Sequence, residues 1–419
     1  MNWIEANLGS VNSLIRNGLN VNQLSTESRG LPITRIETIS DEIIDPNKVG
    51  YANLNEDNYS NWLLLEGDIL LSHINSEKHL GKVAIYEGQP EKIIHGMNLL
   101  CLRPNRKIVY PKHLYYFLRN YRFKNLFIRI SKRAVNQASI STGDLKKIKL
   151  DLPPLSEQRR IVEILDQADE IRKLRKQADE KAEKIIPALF YEMFGDPFTY
   201  NGKLKIKDIV KKVEQKDLRK LPEYEFKYID ISSVDGNKGK IMSFANYVGS
   251  DAPSRAKQII KNNDVLVSTV RPYLKATALV PQSLDNQVCS TGFCVLRTKE
   301  PYGFGFLYAL SRLNWFSNIL MSMAKGASYP AVSENDILNL KIPYPNENEI
   351  LNKKFDDMII NLEQKREYRE KSSERINNLF ELVLSKAFDG SLTSSWREAH
   401  MKELLQEMEE QKKYLEKVN

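Results

Sequence analysis

Cysteine is scarce in this chain, with three in 419 residues. Cys101, Cys289 and Cys294 sit in apolar, strand-like runs without CxxC spacing, which argues for buried thiols and against a disulfide framework or a zinc site. Long hydrophobic runs are missing too. No stretch approaches the ~18 uninterrupted apolar residues of a membrane span, and Met1-Asn2-Trp3-Ile4-Glu5 lacks the basic region and apolar run of a leader, so the expected location is cytoplasmic. The five histidines are scattered and no GxxxxGK[ST] phosphate loop occurs.

Other catalytic signatures fail on inspection. Tyr302-Gly303-Phe304-Gly305 is a lone GxG between a strand-like run and a helix, and the corresponding Tyr110-Pro111-Lys112-His113 has no glycine. There is no NPPY or DPPF sequence of the kind that holds a flipped adenine, and Asp151-Leu152-Pro153-Pro154 is not one. Asp208, Glu214 and Lys216, and again Asp357, Glu363 and Lys365, imitate a metal-dependent nuclease. That chemistry usually places E-x-K on a strand, whereas here the second set lies in a helical pattern and the first among alternating charges, so solvated faces are expected. The chain reads as non-catalytic.

What is present is a repeat. Glu66-Gly67-Asp68-Ile69-Leu70-Leu71-Ser72 returns as Asn263-Asp264-Val265-Leu266-Val267-Ser268, and Asn98-Leu99-Leu100-Cys101-Leu102-Arg103 returns as Gly292-Phe293-Cys294-Val295-Leu296-Arg297. The match continues through Leu114-Tyr115 and Leu307-Tyr308, through Asp144-Leu145 and Asp336-Ile337, to Leu152-Pro153 and Tyr344-Pro345. Each copy mixes short strands, such as Ile33–Glu37 and Lys227–Ile231, with a late apolar helix, which reads as α+β. Charge follows the repeat: of the net +8, residues 1–155 carry +5 and 195–345 carry +7, while the remaining segments are slightly acidic. A polyanionic partner for the two copies is the economical reading, with a merely solvated basic surface as the alternative.

After each copy comes a long charged helix. Pro153-Pro154-Leu155 ends the first copy, Ser156 is placed to cap the helix beyond it, and Asn346 with Glu349 has capping-box spacing in the second. Ile161, Leu165, Ala168, Ile185, Leu189 and Met193 form one apolar stripe, and Met358, Leu362, Ile376, Leu379 and Val383 another. Pro187 should kink or restart the first helix, and Gly195 and Gly390 are natural terminators. Two such stripes predict a coiled-coil-like antiparallel pair acting as a spacer of nearly ~60 Å. Heptads interrupted by Arg172 and Arg175 also allow each helix to pack on its own copy. Trp396, Met401, Leu404, Leu405, Met408, Leu415 and Val418 trace a further amphipathic helix that needs a surface to dock on. The resulting domains are 1–155, the helix 156–194, 195–345, the helix 346–389 and a tail 390–419.

Recognition chemistry concentrates in loops at matching positions. Ser72, His73, Asn75 and Lys78 follow the first repeated strand, and Ser268, Thr269, Arg271, Tyr273 and Lys275 follow the second. Later loops carry Arg133, Asn136 and Gln137 in the first copy and Lys325, Ser328 and Tyr329 in the second. Arg, Asn, Gln and Lys pair with base edges, and Ser, Thr and Lys hold phosphates, so these are the candidate DNA-binding residues; each taken alone is also an ordinary loop residue.

Leu152-Pro153-Pro154-Leu155-Ser156-Glu157-Gln158-Arg159-Arg160-Ile161-Val162, Phe194-Gly195-Asp196-Pro197, Gly67–Ser72 and Ala387-Phe388-Asp389-Gly390-Ser391-Leu392 together resemble the DNA specificity subunit of type I restriction-modification systems. The second helix departs from that pattern, with Pro345-Asn346-Glu347-Asn348-Glu349 where PPLxEQ is expected. The resemblance implies two target-recognition domains separated by two conserved helices, each domain reading half of a bipartite, asymmetric DNA target. It also implies two methyltransferase subunits that use S-adenosylmethionine, restriction subunits driven by ATP with Mg, and no cofactor on this chain. A DNA-processing enzyme with an unrecognised site, and a scaffold binding acidic protein or RNA, are the competing readings.

Overall fold

A computed structural model describes residues 3–22, 29–76, 79–134, 137–199, 203–326, 328–344 and 348–417. The chain forms two compact units, Met1–Leu174 with Ser373–Asn419, and Arg175–Ser372.

The first unit is built on an antiparallel sheet of β1 (Asn12–Asn17), β2 (Ile69–Ser72), β3 (Val83–Ile85) and β4 (Leu99–Pro104), in the order β1-β4-β2-β3. The run Ile-Leu-Leu-Ser is buried at every position because both faces of the sheet are covered. Ile69, Leu71, Leu100 and Leu102 face Leu114, Leu118 and Phe127 of the helices Pro111–Arg119 and Tyr121–Ile130, while Leu70, Leu99 and Cys101 face Ile39, Tyr86 and Ile93.

The second unit repeats the plan. β5 (Val210–Lys211), β6 (Val265–Ser268), β7 (Thr277–Leu279) and β8 (Phe293–Thr298) lie in the order β5-β8-β6-β7. Val265, Val267, Cys294 and Leu296 face Phe306, Leu307 and Leu310, and Leu266, Phe293 and Val295 face Ile260, Val280 and Cys289. All three cysteines are free and buried.

The repeated Asp and Arg of the two sequence motifs form the same contact twice. Asp68 accepts from Arg103 Nε at 2.8 Å and Nη2 at 2.7 Å, and from the Leu65 N–H. Asp264 accepts from Arg297 Nε at 2.9 Å and Nη2 at 2.7 Å, and from the Lys261 N–H. A two-pronged pair with a third donor is what makes a buried carboxylate tolerable, and here it ties the entry of one strand to the end of its neighbour.

Each copy is also closed the same way. Ile4–Asn7 pairs with Lys149–Leu152, and Lys203–Lys205 pairs with Lys341–Pro343, so a copy's two ends lie side by side and a helix departs from there. Those helices are α1 (Leu155–Ala182) and α2 (Glu349–Phe388). Pro187, which cannot donate a backbone hydrogen bond, sits in the first turn of a separate helix, Ile185–Phe194, so α1 stops and restarts rather than kinking. Gly195 and Gly390 end their helices with φ of 69° and 82°.

Within each unit the helix segments run antiparallel. Arg172 of the first unit donates to Asn377 and lies over the Phe380 ring, and in the second Glu183 and Asp179 face Arg366 and Arg369. The apolar stripes meet toward the helix ends, where they also pack on the globular copies. Ile161 and Leu165 join Phe380, Leu384 and Ala387 in the core of the first unit, while Leu174, Ile185 and Leu379 are exposed. The rest of each unit's seam is made by polar contacts such as Arg172 with Asn377 and Glu183 with Arg366. Glu363, expected on a solvated face, instead holds the buried Arg366 guanidinium at 3.2 Å.

The first turn of α1 is not capped by Ser156, which is itself helical. The Ser156 N–H and hydroxyl both donate to the Glu407 carboxylate, from the C-terminal helix Met401–Glu416. α2 is capped by Asn348, whose Oδ1 accepts from the Leu351 N–H at 3.0 Å; Asn346, the expected cap, lies outside the described residues. The C-terminal helix docks on the first unit through buried Leu415 and through Gln411, which donates to the Ile108 and Pro153 carbonyls. Leu405 points to solvent, and Val418 lies outside the described residues.

Candidate nucleic-acid interface

Each sheet delivers a corner loop to the same place relative to its own copy. In the first unit β2 runs past His73 into the short strand Ile74–Asn75, which pairs with Gln137–Ser139, which in turn pairs with Lys132–Ala134. In the second, the chain leaving β6 bridges at Val270 to Ala331, and Ala331 bridges to Lys325. The loops singled out in the sequence as separate segments are therefore joined by backbone pairing in both copies.

The individual candidates divide into those sealed in the scaffold and those presented by it. Ser72 and His73 are buried, and the His73 carbonyl accepts from the Ile140 N–H at 3.0 Å. Burial lowers the His73 imidazole to about 4, so it is neutral at ordinary pH, and its Nδ1 has no partner among the described residues. Asn75 and Gln137 pair through their backbones with Ala138 and Ala134, and Arg133 pairs with Ala138. Lys78 and Asn136 lie outside the described residues.

In the second copy Ser268 and Thr269 are buried. The Ser268 hydroxyl donates to the Val270 carbonyl and accepts from its N–H, and the Thr269 hydroxyl donates to the Gly292 carbonyl. These hydroxyls brace the corner. Beyond it, Arg271 and Lys275 adopt φ of 49° and 48° on either side of a one-turn segment, Pro272–Leu274. Left-handed geometry at two non-glycine residues persists only where surroundings hold it. Here the Arg271 N–H donates to the Pro330 carbonyl at 2.7 Å, Ser317 Oγ donates to the Pro272 carbonyl, and Lys275 Nζ donates to Asn314. Gly236 is required underneath, because a Cβ there would meet the Leu274 carbonyl oxygen at 2.2 Å. Tyr273, Ser328, Tyr329 and Lys325 are exposed, and Arg271 lies with its guanidinium carbon 4.5 Å from the Tyr329 ring centre.

The Arg271–Tyr329 stack was not legible as a pair, since the residues are far apart in sequence and meet only through the bridges between the loops. Also unforeseen is a groove of about 670 Å³ in the second unit, lined by Phe226, Lys227, Asn246, Tyr247 and Gln287. The glycines of Tyr302-Gly303-Phe304-Gly305 serve packing. Asp356 of α2 accepts from the Gly305 N–H at 2.7 Å, and a Cβ at Gly303 or Gly305 would meet the Asp356 Oδ1 atom at 2.9 or 2.8 Å. Among the described residues no group of three or more His, Cys, Asp or Glu could hold a metal ion, and no helix is long and apolar enough to cross a membrane.

Comparison with known proteins agrees with this duplicated plan. The family described as the type I restriction modification DNA specificity domain matches residues 2–184 and again 201–378. A chain of Methanocaldococcus jannaschii named as the type I restriction enzyme MjaX specificity subunit is 34% identical over 397 residues, covering 90% of this chain and 92% of its own. The MjaVIII specificity subunit of the same organism is 23% identical over 75% of this chain and 78% of its own. The crystal structure of the S subunit of a type I restriction-modification system from M. genitalium shares the fold, with a TM-score of 0.51 at 16% identity over 93% of this chain and 96% of that one. The chain thus belongs to the type I restriction-modification DNA specificity family, and is a non-catalytic specificity subunit that works on DNA in a complex with other subunits.

Proposed function

We propose that each copy reads one half of a bipartite, asymmetric DNA target, through the corner loop after β2 or β6 together with the later loop paired to it. The observation that carries this reading is the same scaffold present twice with different residues at corresponding corners: one sheet order and one Asp–Arg brace per copy, but His73-Ile74-Asn75 in one and Thr269-Val270-Arg271 in the other. Surplus Lys and Arg in both copies supply the phosphate attraction. In this reading residues 1–155 and 195–345 are the target-recognition domains, and the helices of 156–194 and 346–389 space the two half-sites and dock two methyltransferase subunits. Those subunits use S-adenosylmethionine to methylate a flipped adenine in each half, and restriction subunits use ATP with Mg. The complex works in the cytoplasm.

Exchange of residues 195–345 for the corresponding segment of a related subunit tests the reading. Methylation mapping should show one half of the recognised sequence changed and the other retained. A change in both halves, or in neither, would refute it.

A further inference from the structure

Arg271 differs from the other well-placed arginines of this chain. Arg103, Arg297, Arg366 and Arg397 are all committed to carboxylates. Arg271 has no carboxylate or hydrogen-bond acceptor on its guanidinium among the described residues, and its Nε is buried without a partner. Its face is covered by an exposed aromatic ring at 4.5 Å, its backbone is locked in the left-handed region, and its N–H is tied to Pro330, the residue after that ring. The stack and the anchor hold the planar group in place, so little freedom remains to be lost on binding. A guanidinium with a covered face and an uncommitted fork has the donor pattern that meets the O6 and N7 acceptors of guanine in the major groove, where bidentate arginine is the commonest specific contact.

We propose that Arg271 is a specificity-determining residue that reads a guanine in the half-site of the second copy, and that Tyr329 is its positioning residue. The proposal rests on the reading above, that this corner faces DNA. It separates Arg271 from Lys275, whose ammonium is held by Asn314 and is a point charge suited to a phosphate.

The test uses the complete methyltransferase complex, with methylation mapping and binding to duplexes altered one base pair at a time. Arg271→Ala should abolish preference at one G·C pair of one half-site, a loss on the order of 10- to 100-fold in discrimination, while the other half-site keeps its sequence. Tyr329→Phe, which keeps the ring, should preserve the preference, and Tyr329→Ala should relax it at the same base pair. An Arg271→Ala complex that binds all sequences equally more weakly, with a shallower salt dependence and an unchanged motif, would make Arg271 a phosphate clamp and overturn the proposal. If that happens while exchange of 195–345 still changes one half-site, the inference about Arg271 alone is wrong. If the exchange changes neither half, the reading beneath it is wrong.

Discussion

Asp356 shows how much one side chain can settle. It lies on α2 beneath Gly303 and Gly305 and accepts the Gly305 N–H, acting as the cap that the helix Phe304–Arg312 lacks locally. Burial pushes its carboxyl up to about 6, against the two backbone hydrogen bonds that favour the charged form. The folded state therefore holds this proton more tightly than the unfolded chain does. The preference is fully present below about pH 4 and is lost as pH rises through about 6, leaving a cost of about 3 kcal/mol at neutral pH. Asp356→Asn keeps the accepting oxygen without the charge, and should raise the melting temperature of the second unit at pH 7.5 while making little difference below pH 4. Melting curves of the two proteins across that range check this, and equal stability at pH 7.5 would mean that the cap bonds already compensate the charge. The glycine pair resembles a cofactor turn in one dimension, and only the arrival of α2 from 51 residues downstream shows that its open space is filled by a carboxylate.

Among the elements, the C-terminal helix was visible as an apolar stripe without a destination, and its docking explains the most distinctive sequence run of the chain. In Ser156-Glu157-Gln158 the first two residues are held by the ends of the polypeptide, and the third shares its acceptors with the tail. Glu157, fully buried, accepts from Trp3 Nε1 at 3.1 Å, Thr393 Oγ1 at 2.6 Å and Arg397 Nε at 2.8 Å. Ser156 binds Glu407, and Gln158 donates to the same two carbonyls that Gln411 completes. Deleting residues 390–419 would take the Thr393 and Arg397 donors from Glu157 and remove Leu415 and Gln411 from the first unit, and breaking a buried ion pair by removing one partner costs about 3–5 kcal/mol where the remaining charge stays covered. The truncated chain should unfold its first unit at a clearly lower temperature, and Glu157→Gln in the truncated background should recover part of the loss. Full stability after truncation would show the tail to be dispensable. The late helices of both copies and the strand at Lys227–Ile229 were readable because short apolar runs and Pro-bounded ends are local signals, whereas Ile33–Glu37, expected as a strand, is extended only to Ile33 and turns into a 3-10 helix over Ile36–Ile39. The polar part of the seam between the helices was not readable, because Ile161, Leu165 and Phe380 satisfy a three- and four-residue period equally well whether they face a partner helix or a globular copy.

At the scale of the whole molecule the two helices carry the proposed role of spacer, and their register makes that role testable. In the second unit Asp179 and Glu183 face Arg369 and Arg366, residue numbers rising along α1 as they fall along α2. Adding one turn to α1 alone would slide these charges out of line, so a matched pair of insertions is needed, one after Gln177 and one near Ser372. One turn lengthens a helix by ~5–6 Å and rotates the downstream residues only slightly. Base pairs rise ~3.4 Å each, so the preferred gap between half-sites should grow by one or two base pairs while the bases within each half stay the same. The restart of the helix at Ile185–Phe194 gives the chain a joint that can absorb part of the displacement, which favours one base pair over two. Methylation mapping of the doubly inserted variant with its methyltransferase partner decides between two sources of spacing. A gap lengthened by one pair assigns the distance to these helices, whereas an unchanged gap at full activity would place it in the partner subunits.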